Sequence, residues 1–346
     1  MTLAEGVLVC LWVGLTAYAI FGGADFGGGI WDLFAGGTKR GARQRDLIEH
    51  SIAPVWEANH VWLIFVLVVL WTGFPPAFAA VASTLYIPLT LAALGMIARG
   101  SAFAFRKSIE SLPARRFFGA LFAFSSLITP FFLGCVAGGV ASGQVPPGLA
   151  RGHVISSWVN PTSLLGGALA VGICGFLAAV FLCDDARREG DDELVRQFRN
   201  RAVASAVVVG LVGLVGLFVV RQDAPYLWGE LFGRALPCLV VSAVAGVASL
   251  GLLVTKRFVA ARVSATAAVT GMIWGWALAQ YPYMLIPSLT IDDAAAGATT
   301  LRAMLVVLLV GSLLLVPALL FMYALFQRPV PQRSSDHHTS PVGPSS

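Results

Sequence analysis

The chain has 346 residues, 57% of them hydrophobic and only 12% charged, with a mean hydropathy of +0.80. Soluble domains carry about a quarter of charged residues, so the composition excludes a soluble globular protein and predicts an all-α integral membrane protein. The formal net charge of +5 sits in short loops beside apolar segments and gives nucleic-acid binding no support.

About nine transmembrane helices are predicted, near 7–30, 56–74, 78–98, 117–142, 162–183, 202–221, 234–255, 262–282 and 302–326. Each has roughly the 20 residues that a hydrocarbon core of about 30 Å requires. They make 1–327 a single polytopic membrane domain, and the Ser-, Pro- and His-rich stretch 328–346 is expected to be a disordered cytoplasmic tail. The loops at 33–55, 99–116, 184–201 and 256–262, with the tail, hold 19 of the 23 Lys and Arg. The positive-inside rule therefore predicts an external N-terminus and a cytoplasmic C-terminus.

The first span opens without Lys or Arg, and its apolar run is longer than the core of a signal peptide, so it is expected to stay as a helix. It contains Asp25 between Gly23 and Gly27, a small-xxx-small face that lets a second helix approach and sets Asp25 against protein. That acid is either a packing feature at a helix end or a functional carboxylate. The second span begins with Pro54-Val55-Trp56-Glu57-Ala58-Asn59-His60-Val61-Trp62, a carboxylate, an amide and an imidazole between tryptophans. A charged acid at a bilayer centre costs about 2.5–3.5 kcal/mol on insertion scales, so such groups face protein or water and often carry protons. Glu57 and His60, three residues apart, share a helix face that Ile64 continues. Either they form a proton-exchanging pair or they cap a helix start; Trp56 and Trp62 suit interfacial anchors.

Pro75-Pro76 closes a turn, and Pro88, Pro130 and Pro317 predict kinks within spans. Arg99 ends the third span and could reach an acid in the same leaflet, and Lys107 could pair with Glu110 in the loop beyond. Asn160 before Pro161 reads as a cap followed by a first helical residue. The acidic and basic stretch 184–193 is expected to be a solvated loop. The five cysteines are scattered and read as packing residues, and Met96, Met272 and Met284 likewise. Of the five histidines only His60 lies at membrane depth, and the tail pair His337-His338 has no third ligand. A multi-haem centre needs several axial ligands, so any redox cofactors are expected on another chain.

Three stretches carry a resemblance: Tyr18 to Gly29, Ser51 to Ile64, and Phe74-Pro75-Pro76-Ala77-Phe78 with Leu85-Tyr86-Ile87-Pro88. Arg106 to Glu110, Tyr281-Pro282-Tyr283 and Pro287 to Thr290 extend it toward the C-terminus. In these the chain resembles subunit II of cytochrome bd-type quinol oxidases. The resemblance implies two four-helix bundles plus one peripheral helix, packed against a subunit I that holds haem b and haem d. It implies a haem-free subunit that binds no cofactor directly, with a structural quinone or lipid and a small accessory subunit as further candidates. The complex would oxidise quinol and reduce dioxygen to water, amid membrane lipids.

By position the resemblance puts Glu57 on a cytoplasmic proton path, Trp62 by the oxygen path and Asp25 at a family acidic position; Asp25 and His60 are expected to share the proton path with Glu57. Asn59 and Arg99 are expected in the supporting polar network. The chain departs from the family pattern at Gly22, where a second acid is common, at Glu57, where Asp is frequent, and at His60, where Gln or Glu is common. A stand-alone proton- or ion-coupled transporter, using Glu57 and Asp25 at broken helices, is the alternative.

Overall fold

The protein is described from a computed structural model, which covers residues 2–37, 41–106 and 111–326, with side chains throughout except at 52–58, 106, 112, 115, 319–320 and 322–326. The expected Lys107–Glu110 pair, the tail and the side chains of Trp56 and Glu57 lie outside the described residues.

Helix α1 (Leu3–Leu33) starts at a capping box: the Thr2 hydroxyl accepts the Glu5 N–H, and the Glu5 carboxylate accepts the Thr2 N–H. Helix α2 (Ala42–Gly73) is polar over its first turns, and Asn59–Gly73 is its apolar part. Pro75 and Pro76 then open α3 (Pro75–Thr84), which leaves α2 at an angle of 118°. Helix α4 (Tyr86–Arg106) follows after a break at Leu85. The third predicted span, 78–98, is thus divided: α3 takes its beginning, and the long membrane helix starts at Tyr86. Pro88 falls in the first turn of α4, where its missing N–H has no intrahelical partner to lose.

Helix α5 (Leu112–Ala141) carries Pro130 inside it. Asn160 caps α6 (Pro161–Arg188) by accepting the Ser163 N–H at 2.8 Å, as its sequence chemistry predicts. The stretch 184–193 differs from the solvated loop expected of it. Asp184 and Asp185 lie in the closing turns of α6, and Asp184 is fully buried. Arg188 at 3.1 Å, Arg187 at 3.6 Å and Arg262 at 4.0 Å surround the Asp184 carboxylate and compensate its lost hydration. Only Glu189 to Asp191 separates the helices before α7 (Asp192–Asp223). Then come α8 (Pro225–Leu231), α9 (Leu236–Val254) and α10 (Phe258–Gln280). A short antiparallel hairpin, β1 (Tyr283–Leu285) and β2 (Leu289–Thr290), precedes α11 (Ile291–Ala294) and α12 (Ala298–Phe326).

Among the described residues, eight helices are long and apolar enough to cross a membrane, and the bent pair 59–73 with 75–84 is a ninth candidate. In the unit Met1–Leu301 the long helices pack as a continuous series of neighbours, α4 on α5, α5 on α6, α6 on α7 and α9 on α10, with α1 against α2, α5 and α6. Helix α6 is central to this packing, lying against α1, α5, α7 and α10. The main apolar core lies around α6, where Leu177, Val180 and Leu182 meet Phe198, Leu253 and Ala261. The second unit begins at Arg302, and its described part is the remainder of α12, an apolar helix carrying Pro317.

Between α6 and α7, Asp191 accepts the backbone N–H groups of Glu193 and Leu194, both at 3.1 Å, and pairs with Arg43 from α2. The Leu194 N–H first, and then Arg43, hold its carboxyl below the usual carboxylate range. A depressed carboxyl stabilises the fold above its unfolded value of about 3.9 and loses that contribution as pH falls through the lower folded value. Asp191→Ala is therefore expected to cost about 1 kcal/mol at pH 7. Thermal unfolding of the detergent-solubilised protein should show the difference from wild type shrink as the pH drops below about 4.

Candidate functional site

The glycine run of α1 decides where Asp25 points. A Cβ at Gly23 would stand 2.7 Å from Leu177 Cδ1, and one at Gly27 would collide with the carbonyl oxygen of Cys174. With no side chains there, α1 lies directly against α6. Asp25 is thereby turned into the protein and is 1% exposed.

Two other helices supply its partners. Arg99, part-way along α4, is 2% exposed, and its Nη2 donates to Asp25 Oδ1 at 2.6 Å and to the Asp25 carbonyl oxygen at 3.0 Å. Asn59, the first described side chain after 52–58 on α2, donates from Nδ2 to Asp25 Oδ2 at 3.3 Å and is buried. The guanidinium lies between the rings of Phe26 and Phe122, its Cζ 4.8 and 4.7 Å from their centroids. A desolvated arginine is tolerable here because an acid, a carbonyl oxygen and two aromatic faces all meet it.

Beside the ion pair is a cavity of ≈ 10 Å³, lined by Tyr18, Asp25, Phe26, Asn59, His60, Leu63, Met96 and Arg99. The structure thus gathers Asp25, Asn59, His60 and Arg99, four of the six residues singled out in the sequence, around one point. The other two stand apart. Glu57 lies one helical turn before His60 on α2, with its side chain outside the described residues. Trp62 is half-buried and meets Phe65 edge-on, with ring centroids 5.8 Å apart.

The inward stripe of α2 differs from the Glu57–His60–Ile64 face expected from spacing. Ile64 is 60% exposed, while Asn59 and Leu63, four residues apart, face the cavity. His60 sits at the edge of that stripe and still reaches the lining. Tyr18 and Met96 were not read as site residues, although their spacing carried a signal. Tyr18 precedes Asp25 by seven residues and Met96 precedes Arg99 by three, so each shares a helix face with its charged neighbour.

Chemically the cluster offers a fixed carboxylate whose two oxygens both accept hydrogen bonds, a permanent cation, and neighbours that both donate and accept. It is a polar node inside an apolar bundle, built from positions within α1, α2 and α4 rather than at their ends.

The family model described as cytochrome bd terminal oxidase subunit II matches residues 3–326. The chain is 25% identical over 335 residues to the cytochrome bd ubiquinol oxidase subunit 2 of Bacillus subtilis (strain 168), covering 92% of this chain and 96% of that relative. It is 22% identical over 333 residues to a putative cytochrome bd menaquinol oxidase subunit II of the same organism, covering 92% and 94%. Among solved structures, the bd oxidase from Geobacillus thermodenitrificans superposes with a TM-score of 0.76 at 26% identity, covering 94% of this chain and 99% of that one.

Proposed function

The chain belongs to the cytochrome bd terminal oxidase subunit II family, and from that premise we propose that it brings cytoplasmic protons to the oxidase through the node around Asp25. It is a multi-pass subunit of a quinol:oxygen oxidoreductase in the bacterial cell membrane. Nothing in the comparisons supports a stand-alone transporter.

In this reading Glu57 takes up the proton at the arginine-rich end of α2, His60 lies next on the route, and Asp25 holds the inner end of it. Asn59 and Arg99 fix the hydrogen-bond network, and Trp62 borders the oxygen path. The observation that carries the reading is the convergence of α1, α2 and α4 on one buried polar cavity. A packing role alone would be served more cheaply by apolar side chains.

The cavity that His60 lines, at ≈ 10 Å³, admits a water and not a porphyrin. Its residues do not fit haem, and we assign haem b and haem d to the partner, subunit I. The quinol, ubiquinol or menaquinol, would be oxidised there too. A structural quinone or lipid in the second bundle, and a small accessory subunit, are further candidate partners of this chain.

Glu57→Gln tests the reading. With haem content unchanged, oxygen consumption with quinol should fall by about 10²-fold, the lower end of what a positioned proton-transfer group contributes. Normal turnover with normal proton uptake would overturn the relay.

A further inference from the structure

We infer that the cavity beside the Asp25–Arg99 pair binds one ordered water, held by Arg99, Asn59 and Tyr18, and that the Tyr18 hydroxyl takes the proton onward from it. The inference rests on the proton route proposed above and adds to it a ligand and a residue.

Of the twelve buried side-chain polar atoms among the described residues that have no hydrogen-bond partner, four cluster here: Tyr18 Oη, Asn59 Oδ1, Arg99 Nε and Arg99 Nη1. All four belong to residues that line the same cavity. Buried polar atoms are nearly always satisfied, by protein or by water, so several orphans around one space point to a guest. Their chemistry specifies it. Arg99 Cζ lies over the Phe26 and Phe122 rings, which meet its charge and leave Nε and Nη1 without a hydrogen-bond acceptor. Asn59 spends its amide nitrogen on Asp25, which turns its carbonyl oxygen away in need of a donor. An anion would face Asn59 Oδ1 and the Asp25 carboxylate, and a cation would face the guanidinium. A water accepts from Arg99, donates to Asn59 and exchanges either way with the tyrosine hydroxyl. The volume of ≈ 10 Å³ is that of one.

The water also answers a difficulty in the route. Arg99 never releases its proton under physiological conditions, and both Asp25 oxygens are engaged by donors. The ion pair alone is therefore a dead end. A water and a hydroxyl each both donate and accept, so they pass a proton beside the pair without breaking it: the water takes one from His60, which lines the same cavity and precedes it on the route, and gives one up to Tyr18 Oη, whose own proton leaves toward the dioxygen reduction on subunit I that consumes it. Tyr18 lies two helical turns from Asp25 along α1, toward the helix start.

A high-resolution cryo-EM map of the purified oxidase complex is the direct test. A single density peak within hydrogen-bond distance of both Arg99 and Asn59 is expected; a dry cavity, in a map that resolves other buried waters, overturns the site. In the same complex Tyr18→Phe should lower turnover several-fold with haem content and thermal midpoint unchanged, and should alter the solvent deuterium isotope effect. Unchanged turnover and isotope effect would overturn the role of Tyr18. The two readings fail separately, because a normal Glu57→Gln enzyme with a hydrated cavity removes the route and leaves the water site. A slow Glu57→Gln enzyme with a dry cavity does the reverse.

Discussion

Arg99→Met, with Asp25 retained, is expected to destabilise the subunit by about 3–5 kcal/mol, because it leaves a buried carboxylate without its counter-charge. That is a large share of the roughly 5–15 kcal/mol that holds a typical domain folded. The visible outcome should be loss of assembled, haem-containing oxidase from the membrane and a lower thermal midpoint in whatever assembles. Asp25→Asn should fail similarly, since the guanidinium then has no counter-charge and keeps only neutral partners, the amide and backbone carbonyl oxygens and two rings. The informative case is the double variant Asp25→Asn with Arg99→Met. Replacing both members of a buried pair by apolar groups of similar volume is often neutral or stabilising, and here both charges go while a buried amide stays, so part of the lost stability should return. Turnover should not return with it if the node conducts protons. A single Arg99→Met variant as stable as wild type would contradict the ion pair described here.

Gly27→Ala is expected to be the second most damaging change. The added methyl would collide with the Cys174 carbonyl oxygen and lie 2.6 Å from Ala178 Cβ, so backbone must move and no side chain can swing aside. Overpacking costs about 1–3 kcal/mol and sometimes more. The backbone collision places this case at or above the upper end. Separating α1 from α6 would also loosen Asp25, which is held two residues away. Gly210→Ala is the matched control, because nothing lies within 4 Å of a Cβ there. In the interior of α7 it should be neutral or slightly stabilising, as alanine favours helix over glycine by up to about 1 kcal/mol. Thermal midpoints of the two variants, compared with wild type, decide the point.

Most of the architecture was legible because hydrocarbon selects for it: long apolar runs announce the spans, and Asn160 before Pro161 announces a helix start. The break at Leu85 was not, because a hydropathy window averages across an apolar bend and Pro88 reads equally as a kink or a first-turn residue. The helical extensions at the arginine-rich ends were missed for a related reason. Outside the hydrocarbon, α2 and α7 begin with polar turns that have no hydropathy signature, so 42–55 and 192–201 read as loops. At the site, the glycines around Asp25 correctly foretold close packing on another helix. The identity of the partner could not be read locally, since Arg99 is 74 residues from Asp25 in the chain. Tyr18 was legible by helical period alone, but an apolar-looking tyrosine acquires meaning only beside neighbouring orphaned donors and acceptors.

The separation of Asp25 from Arg99 also sets a timetable for biogenesis. Translation delivers α1 first, Asn59 follows 34 residues later, and Arg99 only after 74. At about 5–20 residues per second, the acid therefore waits roughly 4–15 seconds for its counter-charge. Over that interval α1 carries a carboxylate that lipid rejects, and the insertion machinery must shelter it in a polar environment until α4 emerges. The nascent subunit is consequently most vulnerable to quality-control proteases in the gap between its first helix and its fourth.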